Sequence, residues 1–144
     1  MIMKYVLCLA VLVVSLRNVK ARLSAESETA LTEYGQGYLS ECAKELNLDL
    51  EHLKPSDIQD KDKCLFTCTA KKMGVINGEG KFDLDKVLEI LVGLVKNLED
   101  YKTLETIAKS CISVNDEKVS DGVKGCERTF LAVSCVTKQK ELLE

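Results

Sequence analysis

The sequence predicts an all-α protein of about six helices. Three observations carry that prediction. Apolar residues recur at helical spacing, most plainly at Leu84, Val87, Leu88, Leu91, Val95 and Leu98. Residues that start and stop helices stand at the edges of such stretches. No stretch alternates apolar and polar residues well enough to form a strand.

The elements follow in order. Ser24 is placed to cap a first long helix running to Leu46. Glu26 and Glu28 suit the positive end of its dipole, and Gly35 and Gly37 mark a bend. Leu48 to Leu53 reads as a short helical turn, ended by Pro55, which cannot continue a helix but can open the next segment. A third helix spans about Asp60 to Met73, with Gly74 placed for a left-handed C-terminal cap. Asn77-Gly78-Glu79-Gly80 is a turn. Asp83 caps a fourth helix, the stripe named above. Ile90, Val92 and Leu94 widen that stripe, so this helix calls for cover on more than one side. Asp100 begins a fifth helix through Ser113, and Ser120 or Asp121 a sixth through about Lys138.

Residues 1–21 read as a secretory signal peptide. Lys4 supplies the positive start, Tyr5 to Leu16 is apolar except for Ser15, and Val19 and Ala21 are the small residues of a cleavage site. A second possible cut follows Ala25. The apolar run is too short to span a bilayer, which takes about 20 residues. Residues 22–144 then form a single domain, with no repeat or linker. Cleavage removes three cations and no acid, so the net charge falls from −3 to −6. It also removes Cys8, so seven cysteines become six. The acidity excludes binding of nucleic acid through a basic patch. At 46% hydrophobic and 30% charged, the chain is globular rather than disordered or fibrous.

Secretion puts the six cysteines in an oxidising compartment, where disulfides persist. Cys64 and Cys68 lie four apart on a predicted helix, with Cβ atoms about 5–6 Å apart, against about 3.5–4.5 Å in a disulfide. Cys126 and Cys135 lie nine apart on opposite sides of the last helix, about 13 Å apart along it. Neither pair should bond. Of the 15 pairings that six cysteines allow, ten stay open. Three bridges at roughly 2–4 kcal/mol each match the cost of an apolar cavity of a few hundred Å³, at about 24 cal/mol per Å³.

From Cys42 the gaps between the six cysteines are 21, 3, 42, 14 and 8 residues. This spacing resembles the six-cysteine insect odorant-binding protein family, the pheromone-binding and general odorant-binding group. Lys63-Cys64-Leu65-Phe66-Thr67-Cys68, followed by Lys71-Lys72-Met73-Gly74, is similar to the family's third helix. Asn77 to Phe82 is similar to its glycine-bearing turn, and Cys126-Glu127-Arg128 through Cys135 to its last core helix. The resemblance implies about six helices around an internal apolar cavity, stapled by three interlocked disulfides, Cys42–Cys68, Cys64–Cys126 and Cys111–Cys135. It implies a secreted, extracellular carrier of small hydrophobic ligands and not an enzyme, with no cofactor and no metal. The implied partner is a small hydrophobic molecule, with a membrane receptor reached only indirectly. No nucleic acid, no stable membrane insertion, and a monomer or weak homodimer go with it.

Carried over by position, the implied ligand-binding residues are Tyr38, Phe66, Met73, Val75, Phe82, Leu84, Leu88, Leu91, Ile107, Phe130 and Val136. Thr129 and Ser134 offer hydroxyls to a polar ligand group or, equally, to their own helix. Only nine residues follow Cys135, too few for a long C-terminal plug. Two alternatives use the same fold: a venom, salivary or reproductive-fluid interaction protein whose cavity is incidental, and a carrier of polar ligands. The lone histidine, His52, stands between Glu51 and Leu53, which excludes a phospholipase-like site and any recognisable zinc set. Asn77 to Asp83 lacks the alternating oxygen ligands of a calcium loop.

Overall fold

Helix α1 (Ala25–Glu45) begins where Ser24 accepts a hydrogen bond from the Ser27 amide and holds one of the helix's free N–H groups. The computed structural model describes residues 23–53 and 64–143, without the side chains at 140, 142 and 143. The predicted signal peptide, Pro55 and the first residues of the predicted third helix lie outside the described residues. A 3₁₀ turn (Leu50–His52) follows α1, capped by Asp49. Helix α2 (Leu65–Met73) ends on Gly74, whose φ of 82° is the left-handed cap expected there. Helix α3 (Leu84–Leu94) is capped by Asp83, and α4 (Leu98–Ser110) by Asn97. Two further 3₁₀ turns (Cys111–Asp116 and Gly122–Lys124) lead to α5 (Cys126–Leu143).

The described residues thus hold five α-helices and no strand. Ile76 and Phe82 form an isolated antiparallel bridge across the Asn77–Gly80 turn. Asn77 Oδ1 closes the turn by accepting from the amides of Glu79 and Lys81 at 2.9 and 3.1 Å.

Several boundaries differ from the sequence reading, among them the fifth predicted helix, which runs Leu98–Ser110 rather than Asp100 to Ser113. Cys64 is not within a helix; its φ of 40° places it in the left-handed region, ahead of Leu65. It bonds Cys126 and not Cys68, so the expected lack of a bond between Cys64 and Cys68 holds. The fourth predicted helix does not continue to Leu98. It stops at Leu94, because Asn97 Oδ1 accepts from the amides of Glu99 and Asp100 at 2.9 and 3.1 Å and starts a new helix there. Val92, placed on the buried stripe by sequence, is 61% exposed, so α3 is covered less fully than its composition suggests; Leu98, also placed on the stripe, falls on α4 and is 64% exposed. The predicted sixth helix begins at Cys126, after a 3₁₀ turn, rather than at Ser120 or Asp121.

The disulfides pair Cys42 with Cys68, Cys64 with Cys126 and Cys111 with Cys135, with Cα atoms 5.8–5.9 Å apart. The first ties α1 to α2, beside Lys72, which reaches Glu45 at 2.7 Å and Glu41 at 3.6 Å. The other two hold α5. Its start is bound to the cap of α2, and its middle to the end of α4. Two clusters form the core. Cys42, Ala43 and Leu65 fill the α1–α2 contact. Ile76, Phe82, Val114 and Ala132 meet where α5 crosses the turn region.

Candidate ligand-binding site

The second cluster does not fill its space. A cavity of about 240 Å³ lies between α2, the residues flanking the Asn77–Gly80 turn and α5, lined by Ala70, Val75, Ile76, Phe82, Thr129, Ala132, Val133, Val136 and Thr137. Helix α5 contributes the last five. Their spacing of i, i+3, i+4, i+7 and i+8 is one helical face. Ala132 and Thr129 are buried at the deep end, whereas Val133, Val136 and Thr137 are exposed and form an open mouth.

The opposite wall is fixed by backbone. Asn115 Oδ1 accepts from the Phe82 amide, and Asn115 Nδ2 donates to the Phe82 carbonyl, both at 2.8 Å. This reciprocal pair holds Phe82 as a neighbouring strand would. Asp83 N donates to Val75 O at 2.9 Å, and Val75 N to Ala70 O at 3.0 Å. Gly80 and Gly125 let two loops touch. A Cβ on Gly80 would meet the Gly122 carbonyl at 2.6 Å, and one on Gly125 would meet Ile76 Cγ2 at 3.2 Å. Lys71 Nζ adds a bond to Val123 O at 2.7 Å. Behind α5, buried Arg128 donates to the carbonyls of Val114 and Glu117 and pins the 3₁₀ turn to the helix.

The lining is chemically quiet. Thr129 Oγ1 donates to Gly125 O at 2.7 Å and Thr137 Oγ1 to Val133 O at 2.9 Å, so both hydroxyls spend their proton on their own helix. No charged residue lines the cavity. The arrangement can desolvate apolar matter; it holds no nucleophile and no acid–base pair.

Against this geometry, the chain was compared with known proteins. The model of the PBP/GOBP family matches residues 24–139. The chain belongs to the PBP/GOBP family. This is the insect odorant- and pheromone-binding family, a family of small-ligand binding proteins rather than enzymes. No curated protein and no solved structure matches the chain. Among the described residues, no helix is long and apolar enough to cross a membrane.

Of the residues that the family resemblance suggested, the structure brings Val75, Phe82 and Val136 together at this cavity. The other eight are not in its lining. Leu84 packs against the same cluster from outside. Leu91 and Ile107 are buried on α3 and α4. Met73, Leu88 and Phe130 are half-buried. Phe66 is 38% exposed. Tyr38 packs edge-on against Tyr34, ring centroids 5.3 Å apart. Burial and the neighbouring Tyr38 raise the Tyr34 hydroxyl's pKa above its ordinary value. Ser134 is exposed and outside the lining, and Thr129 lines the cavity while bonding locally. Sequence reasoning missed Ala70, Ile76, Ala132, Val133 and Thr137. The signal was the i, i+3, i+4, i+7, i+8 face of α5 with small residues on it.

His52 stands apart, exposed, with its Nδ1 2.6 Å from Asp49 Oδ2. That hydrogen bond raises the imidazole's pKa and lowers the carboxyl's. Asp49, Glu51 and His52 each bring one ligand-type atom within 4.8 Å of the others, all three exposed on a single turn.

Proposed function

We propose that this PBP/GOBP protein is a secreted extracellular carrier that takes small hydrophobic semiochemicals into the α2–α5 cavity and moves them through aqueous fluid. The observation that carries the reading is a cavity of about 240 Å³ with an apolar lining, one side of which is a helix bound by two disulfides. Binding is partition: each Å² of apolar surface removed from water contributes about 25 cal/mol. In this reading residues 1–21 are a cleaved signal peptide and residues 22–144 one domain. Support comes from Ser24, which caps α1 and whose amide donates to buried Asp100 at 3.1 Å. A cut after Ala25 would discard both contacts, whereas a cut after Ala21 keeps them.

The experiment is displacement of a fluorescent apolar probe from the oxidised mature protein by a panel of aliphatic and aromatic volatiles. Displacement by a subset of them is the expected result. Absence of probe binding and of displacement across the whole panel overturns the carrier reading.

A further inference from the structure

We infer that the cavity takes a hydrocarbon tail of about ten carbons, tail first, and leaves the ligand's polar group unread at the mouth. This inference rests on the carrier reading and deepens it. Two observations carry it, one of size and one of hydrogen bonding.

An apolar cavity of about 150 Å³ binds benzene, six carbons, so about 240 Å³ holds roughly ten carbons at the same density. Buried side chains, Ile76, Phe82 and Ala132, line the part of the cavity away from the exposed residues, and the tail packs against them. Longer chains must leave through the mouth between Val133, Val136 and Thr137, where methylenes return to water.

The polar inventory decides the orientation. Every hydroxyl in the lining donates to its own helix, Thr129 to Gly125 O and Thr137 to Val133 O. The amides of Val75 and Phe82 are committed to Ala70 O and Asn115 Oδ1. A carbonyl carried inward would shed its water and find none of these donors free to replace it, which costs affinity by a factor of about ten. At the mouth the same group keeps its water. The deep end therefore selects for tail length and against a mid-chain carbonyl, and the terminal head group is left unselected.

The test measures dissociation constants for 1-alkanols from six to fourteen carbons by probe displacement. Affinity is expected to rise about fourfold per methylene, equivalent to about 0.8 kcal/mol, and to level off near ten carbons. A ten-carbon alcohol, aldehyde and acetate should agree within about threefold, because a solvated head exchanges one set of hydrogen bonds for another. Moving the carbonyl from C1 to C5, from the ten-carbon aldehyde to the ten-carbon ketone, should weaken binding about tenfold. Ala132→Leu adds three carbons to the deep end and should move the break to about seven carbons; the wild-type series stands alone if that variant does not fold. A slope that continues unchanged to fourteen carbons overturns the inference. So does a more than tenfold preference among terminal heads, or an unmoved break in folded Ala132→Leu. In each of those cases binding is still seen and the carrier reading survives. Failure of every compound to bind sinks both.

Discussion

Asp100 is a charged residue with a task beyond the helix start at which the sequence placed it. It sits in the first turn of α4, 7% exposed, and also serves another helix. Its Oδ2 accepts from the Ser24 amide at 3.1 Å, the Ser24 hydroxyl at 2.5 Å and the Ser27 hydroxyl at 2.6 Å. Burial pushes its pKa up, but the bonds from Ser24 and Ser27 outweigh burial and leave it lowered. A carboxyl whose folded pKa lies below its unfolded value, about 3.9, stabilises the fold fully above that value and loses the contribution as pH falls through the folded one. Asp100→Ala should therefore cost about 2–3 kcal/mol at neutral pH, since it also leaves buried Ser27 without its acceptor. The gap between wild type and variant, read by urea unfolding, should be constant from pH 7 to about 5 and narrow below about pH 4. A gap that does not change with pH would count against the ionised carboxylate as the source. Sequence could not have found this contact. Its partners lie 73 and 76 residues away, and nothing local marks a carboxylate as buried.

At the scale of elements, the caps were the legible part. Ser24, Gly74 and Asp83 each do what their residue type favours, because caps depend on a few neighbouring atoms. The apolar stripe misled where it ran past Asn97, since periodicity ignores an Asx cap that competes for the same amides. The cavity's lining departs from the residues proposed by resemblance for a related reason. Large residues such as Phe66, Met73 and Leu88 draw attention, yet large side chains fill space. The cavity lies where side chains are small, at Ala70 and Ala132. The turn that shapes its wall gives a clean test. Gly80 has φ of +76° and would drive a Cβ into the Gly122 carbonyl, whereas nothing lies within 4 Å of a Cβ on Gly78. Gly80→Ala should cost about 3 kcal/mol or more. Gly78→Ala, two residues away in the same turn, should stay within about 0.5 kcal/mol. Thermal unfolding of the two variants side by side checks this. Equal effects would mean that the contact between the 77–80 turn and the 122–125 loop contributes little.

For the molecule as a whole, the question is which disulfide serves stability alone and which serves the cavity as well. Cys42–Cys68 and Cys111–Cys135 are matched for the comparison. They span 26 and 24 residues, and each joins one fully buried cysteine, Cys42 or Cys111, to a half-buried one. Restriction of the unfolded chain depends on loop length, so each should contribute about 3.5 kcal/mol. Their positions differ. Cys42–Cys68 joins α1 to α2 within the cluster of Ala43 and Leu65. Cys111–Cys135 grips α5 between Val133 and Val136, two residues of the cavity mouth. Replacing either pair by alanines should lower stability by similar amounts. Only loss of Cys111–Cys135 should also weaken ligand, because α5 can then shift and let the apolar face collapse into the space the ligand uses. The measurement is a pair of denaturant curves with a probe titration on each folded variant. Equal stabilities with a several-fold weaker titration for the Cys111–Cys135 variant is the expected pattern. Equal affinities would show that the packing around Arg128 and Asn115 holds the cavity open without the bridge.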